Sequence, residues 1–210
     1  FRLFIKYGDN QKNLDMKSNS KLTIDNIWSC FTEDLNFNKD SYATNCMLHV
    51  TNQGVFDCPK VVRANNLRSR IVLDKQSIAY IYTLELSSTD SALIIDDSAM
   101  HISAFLYLNH WSSSNHTKDD GGVPRVFFRG KNPKLLVKGQ IRVADDADNG
   151  RHDPTKIARP EFIFEIPEGG YDEAPIQRYQ STNNYFLYSS SKTNLLIKVD
   201  VENSDAYLKP

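Results

Sequence analysis

Glycine is scarce in this chain, nine residues in 210, and cysteine, methionine and tryptophan number only three, three and two. So few glycines leave little room for nucleotide-cradling turns. Neither a Gly-x-Ser-x-Gly elbow, a phosphate-binding Gly-rich loop nor His-Glu-x-x-His occurs. Three cysteines are too few for a disulfide scaffold, and a chain this long does not need one. Cys-x-x-Cys is missing, which excludes a structural zinc site of the ordinary kind. No apolar run approaches the roughly 18 residues of a membrane-spanning helix. An excess of one charge is lacking too: 25 Lys and Arg stand against 26 Asp and Glu, a formal net charge of −1. That excludes whole-chain polycation binding to nucleic acid. With 40% apolar and 24% charged residues, a disordered polymer is excluded as well.

The chain opens at Phe1, and its first seven residues are too short and too charged to form a signal peptide's apolar core. It reads as a mature form, a processing product or the ordered part of something longer.

What is present in quantity is period-two alternation. In 77–87, Ile78, Tyr80, Tyr82, Leu84 and Leu86 alternate with Ala79, Ile81, Thr83 and Glu85. Met100, Ile102, Ala104, Leu106 and Leu108 form one face of 100–110; Val137, Gly139, Ile141 and Val143 one face of 135–143; Leu195, Ile197, Val199 and Val201 one face of 194–202. Such alternation marks strands with one buried and one wetter face. Shorter strands are expected at 2–7, 44–50, 55–57, 69–73, 125–129, 161–166 and 185–189. One short helix is expected near residues 24–35, capped by Thr23 or Asp25, with Ile24, Ile27, Trp28, Phe31 and Leu35 at helical spacing. Glu33 and Asp34 sit at its unfavourable end. No internal repeat is visible. About eleven strands joined by long polar connections predict an all-β chain, residues 1–210 forming a single antiparallel β-sandwich of Greek-key or jelly-roll type.

Candidate sites are few. Cys46 and Cys58 flank 50–55, which reads as a hairpin turn; a three-residue loop would set them opposite each other as a disulfide pair, and a two-residue loop would face Cys46 with Pro59. Asp146 and Asp148 lie in an acidic Asn-Gly turn resembling a calcium loop, but the spacing is one residue short and no bidentate Glu follows. His110, His116 and Asp119 could approach a zinc ion, with nothing to complete the ligand set. Trp111 beside Ser112, Ser113, Ser114 and Asn115 could form a sugar-stacking platform, and Asn115-His116-Thr117 is a glycosylation acceptor pattern. Tyr80, Tyr82, Phe162 and Phe164 are assigned to core packing. No cofactor is implied.

One stretch departs from a solvated background. Between Val123 and Val143 stand Arg125, Arg129, Lys131, Lys134, Lys138 and Arg142, with no acid among them. Alternation along one strand would set Lys138 and Arg142 on a common face, and Arg63, Arg68 and Arg70 could join them. Such a stripe suits phosphate backbones, sulfated glycans or an acidic protein surface; it would equally serve to blunt a sheet edge.

Three readings follow. The first is a non-catalytic, self-assembling coat protein of capsid type, its basic strand face toward packaged nucleic acid, forming homo-oligomers in a virion. The second is an extracellular lectin-like sandwich that binds glycans. The third, an enzyme on a β-sandwich, rests only on unplaced Tyr, Arg, His and carboxylates.

Overall fold

The computed structural model describes residues 2–5, 13–16, 19–37, 45–64, 68–86, 91–108, 124–143, 160–178, 187–189 and 196–201. Among them every regular element is a strand. In chain order these are β1 (Arg2–Ile5), β2 (Asn13–Asp15), β3 (Lys21–Asp25), β4 (Trp28–Phe31), β5 (Asp34–Asn36), β6 (Met47–Thr51) and β7 (Val55–Ala64). There follow β8 (Arg70–Leu73), β9 (Ile78–Leu86), β10 (Ala92–Asp96), β11 (Ala99–Ile102), β12 (Phe105–Leu108) and β13 (Arg125–Arg129). The last are β14 (Lys134–Val137), β15 (Gln140–Val143), β16 (Glu161–Ile166), β17 (Ile176–Arg178), β18 (Leu187–Ser189) and β19 (Leu196–Val201).

Every pairing among these strands is parallel. A seven-stranded sheet stacks β3, β6, β8, β10, β13, β16 and β19 in order of sequence. A twelve-stranded sheet has two halves. One stacks β1, β4, β7, β9, β11, β14 and β17; the other carries β2, β5, β12, β15 and β18, with β7 and β9 long enough to run through both. The chain therefore climbs as a solenoid, and each coil lays one strand on each face. Arg70 pairs with Ala92 one coil later, 22 residues on, whereas Arg125 pairs with Glu161, 36 residues on. Coils this unequal carry no fixed sequence period, which is why no repeat is visible.

The expected antiparallel sandwich, jelly-roll or Greek-key, is thus corrected: the all-strand class holds and the pairing direction does not. Residues 50–55 show how the difference arises. Asn52 and Gln53 adopt left-handed φ values of 50° and 60°. They turn the chain by one corner, from β6 in one sheet to β7 in the other, and not back on itself as a hairpin. Asn26, Lys75, Gln76, Asp97 and Gly130 hold positive φ at the same corner of other coils. Short polar side chains and glycine tolerate this region best.

The expected helix is corrected as well. Residues 24–35 contain the end of β3, all of β4 and the start of β5. Ile24, Phe31 and Leu35 are buried because each points inward from a different face, while Trp28 points out. Two-residue alternation interrupted by corners reproduces helical spacing. The cysteine pair is corrected for the same reason. Cys46 precedes a strand of one sheet, Cys58 lies in the other, and both are free and buried. Burial pushes the Cys58 thiol up to about 11.

Inward-facing residues form continuous ladders. Leu48, Ile71, Leu93 and Val126 are stacked in register and fully buried. Across the core stand Phe56, Ala79, Met100 and Leu135, and along the third face Val62, Leu84, Leu106 and Ile141. Each inward Leu or Ile removed from water contributes about 2 kcal/mol, so the alternation legible in the sequence is the main source of stability.

Candidate functional site

With the core filled, chemistry belongs to the outward rows. On the first half of the twelve-stranded sheet, register aligns Cys30, Asp57, Tyr80, His101, Leu136 and Gln177 in one outward row. Trp28 lies in the adjacent outward row, followed by Val55, Ile78, Ala99 and Lys134. The Tyr80 and His101 rings lie 4.8 Å apart, tilted by 39°, the distance of one coil. Burial lowers the His101 pKa, so its ring is held toward the neutral form.

At the edge of this face β7 carries a bulge between Cys58 and Val61, so that Pro59 and Lys60 together stand opposite Tyr82. Ser103 donates its backbone N–H to the Ile81 carbonyl, and Lys138 donates to that of Ile102. Lys60, Tyr82, Ser103 and Lys138 therefore form a column along the solenoid axis, and all four are exposed. Lys60 and Lys138 form no ion pair among the described residues. Trp28, Tyr80 and Tyr82 are 38%, 39% and 51% exposed, and they are the exposed large apolar side chains among the described residues. All three lie on this one face.

The aromatic assignment is thereby corrected for two residues. Phe162 is buried and Phe164 half-buried as expected, but Tyr80 and Tyr82 point outward. The alternation of β9 changes parity after Tyr82: Thr83 and Leu84 are both buried, which separates Leu84 and Leu86 from the row that the tyrosines occupy.

The six basic residues do not share a face. Arg125 and Arg129 lie on the outer side of β13; Arg125 Nε stands 2.9 Å from Glu161 Oε2, and Arg129 Nη2 donates to Glu165 Oε1 at 2.8 Å. Lys131, at the corner, donates to the backbone carbonyls of Glu168 and Gly170. Lys134, on β14, is 3.1 Å from Glu173. Lys138 sits exposed between β14 and β15, and Arg142 is on β15 in the other half of the sheet. The chain bends at Lys138–Gly139, between β14 in one half of the sheet and β15 in the other, so Lys138 and Arg142 do not share a strand. Of the smaller basic group, Arg63 faces Asp34 at 2.7 Å and Glu85 at 3.3 Å on the third face, while Arg70 is on the seven-stranded sheet.

Trp111, Asn115, Asp146 and Asp148, with His110, His116 and Asp119, lie outside the described residues. Among the described residues no group of three or more His, Cys, Asp or Glu side chains could hold a metal ion, and no helix is long and apolar enough to cross a membrane. No protein-family model, curated protein or solved structure matches the chain.

Proposed function

We propose that this chain is a recognition module for an extended acidic polysaccharide, which lies along the solenoid axis over the first half of the twelve-stranded sheet. The observation that carries this reading is the gathering of Trp28, Tyr80 and Tyr82 on one face, beside the exposed lysine column. Aromatic rings offer flat apolar surface to the C–H faces of sugar rings, with a polar edge that stays wet. Lys60 and Lys138 supply cations for carboxylate or sulfate groups, and Asp57, His101, Ser103 and Gln177 supply donors and acceptors between them. A parallel solenoid repeats these groups about every 4.8 Å along its axis, which favours a ligand that is itself periodic over a compact one.

A polyanion partner and a glycan partner were separate expectations; this face unites them. The coat-subunit expectation rested on a jelly roll, and with parallel sheets it has lost that premise. Nucleic acid is the competing polyanion, and three of the six basic residues expected to hold it, Arg125, Arg129 and Lys134, face carboxylates of the chain instead.

Retention of the purified protein in gels cast with acidic polysaccharides, neutral polysaccharides or single-stranded DNA tests the reading. Acidic polysaccharide should retain it, increasingly so at low salt. Tyr80→Ala and the pair Lys60→Ala with Lys138→Ala should each weaken retention about tenfold, roughly 1.4 kcal/mol. Preference for DNA, or retention indifferent to these substitutions, would overturn the assignment.

A further inference from the structure

The other sheet carries a second patterned face, independent of the polysaccharide reading. Its central outward row runs Thr23, His49, Val72, Ile94, Phe127 and Ile163, with Lys198 next in register. Val72, Ile94, Phe127 and Ile163 are apolar and half-exposed, a continuous stripe rather than isolated residues. Two rows of charge flank it. On one side run Lys21, Met47, Arg70, Ala92, Arg125 and Glu161, with three cations against one carboxylate. On the other run Asp25, Thr51, Asp74, Asp96, Arg129 and Glu165, with four carboxylates against one cation.

We propose that this face binds a second copy of the chain, the two solenoids packing sheet to sheet with parallel axes about a two-fold axis that runs along the stack. That operation lays the apolar row of one copy on the same row of the other. It also brings each basic row against the partner's acidic row at the same coil: Lys21 meets Asp25 and Arg70 meets Asp74. Where the order would fail, at Arg125 and Arg129, each guanidinium is neutralised within its own chain by Glu161 and Glu165. Turning one copy end over end would set the acidic row on itself, with Asp96 facing the same residue of the other copy. Charge therefore selects the parallel arrangement, since like charges in a dry contact are strongly disfavoured. Seven strands of about five residues span about 29 by 17 Å. Two such faces bury on the order of 1,000 Å², where specific interfaces begin. The dimer is accordingly a reversible one.

Sedimentation equilibrium with loadings from about 1 to 300 µM reads the association directly. The expected result is a monomer–dimer equilibrium weakened at least tenfold by Ile94→Asp, whose side chain points outward and leaves the fold intact by circular dichroism. Lys21→Glu should weaken it, and Lys21→Glu combined with Asp25→Lys should restore it. Thr23→Cys lies at one end of the stack, so a thiol-specific cross-linker spanning about 10 Å, the separation of packed sheets, should link it to itself in the parallel dimer, while the unsubstituted chain does not link. A chain that stays monomeric at the highest loading, or a dimer indifferent to Ile94→Asp, would overturn the proposal. A dimer in which Thr23→Cys forms no link would overturn the parallel arrangement.

Discussion

A β-carbon at position 139 would overlap the carbonyl oxygen of Ala104. The two residues mark the same corner in successive coils, between the halves of the twelve-stranded sheet, and only a bare Cα lets the backbones approach so closely. Gly139→Ala should force that corner open and lower stability by about 2–3 kcal/mol, the scale of an overpacked interior. The urea midpoint measures this; an unchanged midpoint would show that the corner has room.

Register makes a second expectation sharp. Leu93 is fully buried and its neighbour Ile94 is not. Leu93→Ala should cost about 3 kcal/mol and Ile94→Ala well under half as much, measured by denaturant unfolding at concentrations where the chain is monomeric. A one-residue slip would exchange the two values.

Two carboxylates adjacent in one outward row should respond oppositely to pH. Burial alone would raise the Asp74 pKa, but hydrogen bonds from Thr51 and His49, with the charges of His49 and Lys75, outweigh it and hold the group below its ordinary value. His49 Nε2 lies 2.9 Å from Asp74 Oδ2. A depressed carboxylate stabilises the fold above its unfolded pKa, about 3.9, and loses that contribution as pH falls through the folded value. Asp74→Asn should therefore destabilise at pH 6, and the difference from the parent chain should shrink toward pH 2. A difference that is constant across this range would rule the mechanism out.

Asp96 is the reverse case. Burial, then the charge of Asp97, raises its pKa, with Arg129 only partly compensating. The folded state binds the proton more tightly than the unfolded chain, so ionised Asp96 opposes folding at neutral pH and the opposition fades as pH falls below the raised value. Asp96→Asn should raise the melting temperature at pH 7 and leave it unchanged near pH 3. Lower stability at pH 7 would contradict this.

The positions of many strands were legible, because alternation reports which side chains are buried, and the burial of Met100, Ile102, Leu106 and Leu108 follows it. Pairing direction was not. A buried and a wet face arise equally in hairpins and in solenoids, and a left-handed pair such as Asn52 and Gln53 serves both; what separates them is that β6 pairs with β3 and β8, one coil away, and not with β7. Ile24, Phe31 and Leu35 mimicked a helix because three strands on three faces pass through twelve residues. The surroundings of the basic stretch were not legible for a related reason. Glu161 and Glu165, the partners of Arg125 and Arg129, are 36 residues away in sequence and next door in space, so a local charge count cannot see them. Tyr80 and Tyr82 were missed because β9 changes parity after Tyr82, where β7 opposite it carries the bulge. The one available signal was the Cys58-Pro59-Lys60 segment, since proline within a strand favours an irregular ladder.

Because each strand of the seven-stranded sheet pairs only with its neighbours in the stack, this sheet has no ladder that ties its first coil to its last. Damage in such a chain is felt locally, each coil answering to the one above and the one below. Amide protons of β8 and β10, with coils on both sides, should exchange last, and those of β3 and β19 first. The molecule is closer to a stack of coins than to a knot: it can lose its ends and keep its middle.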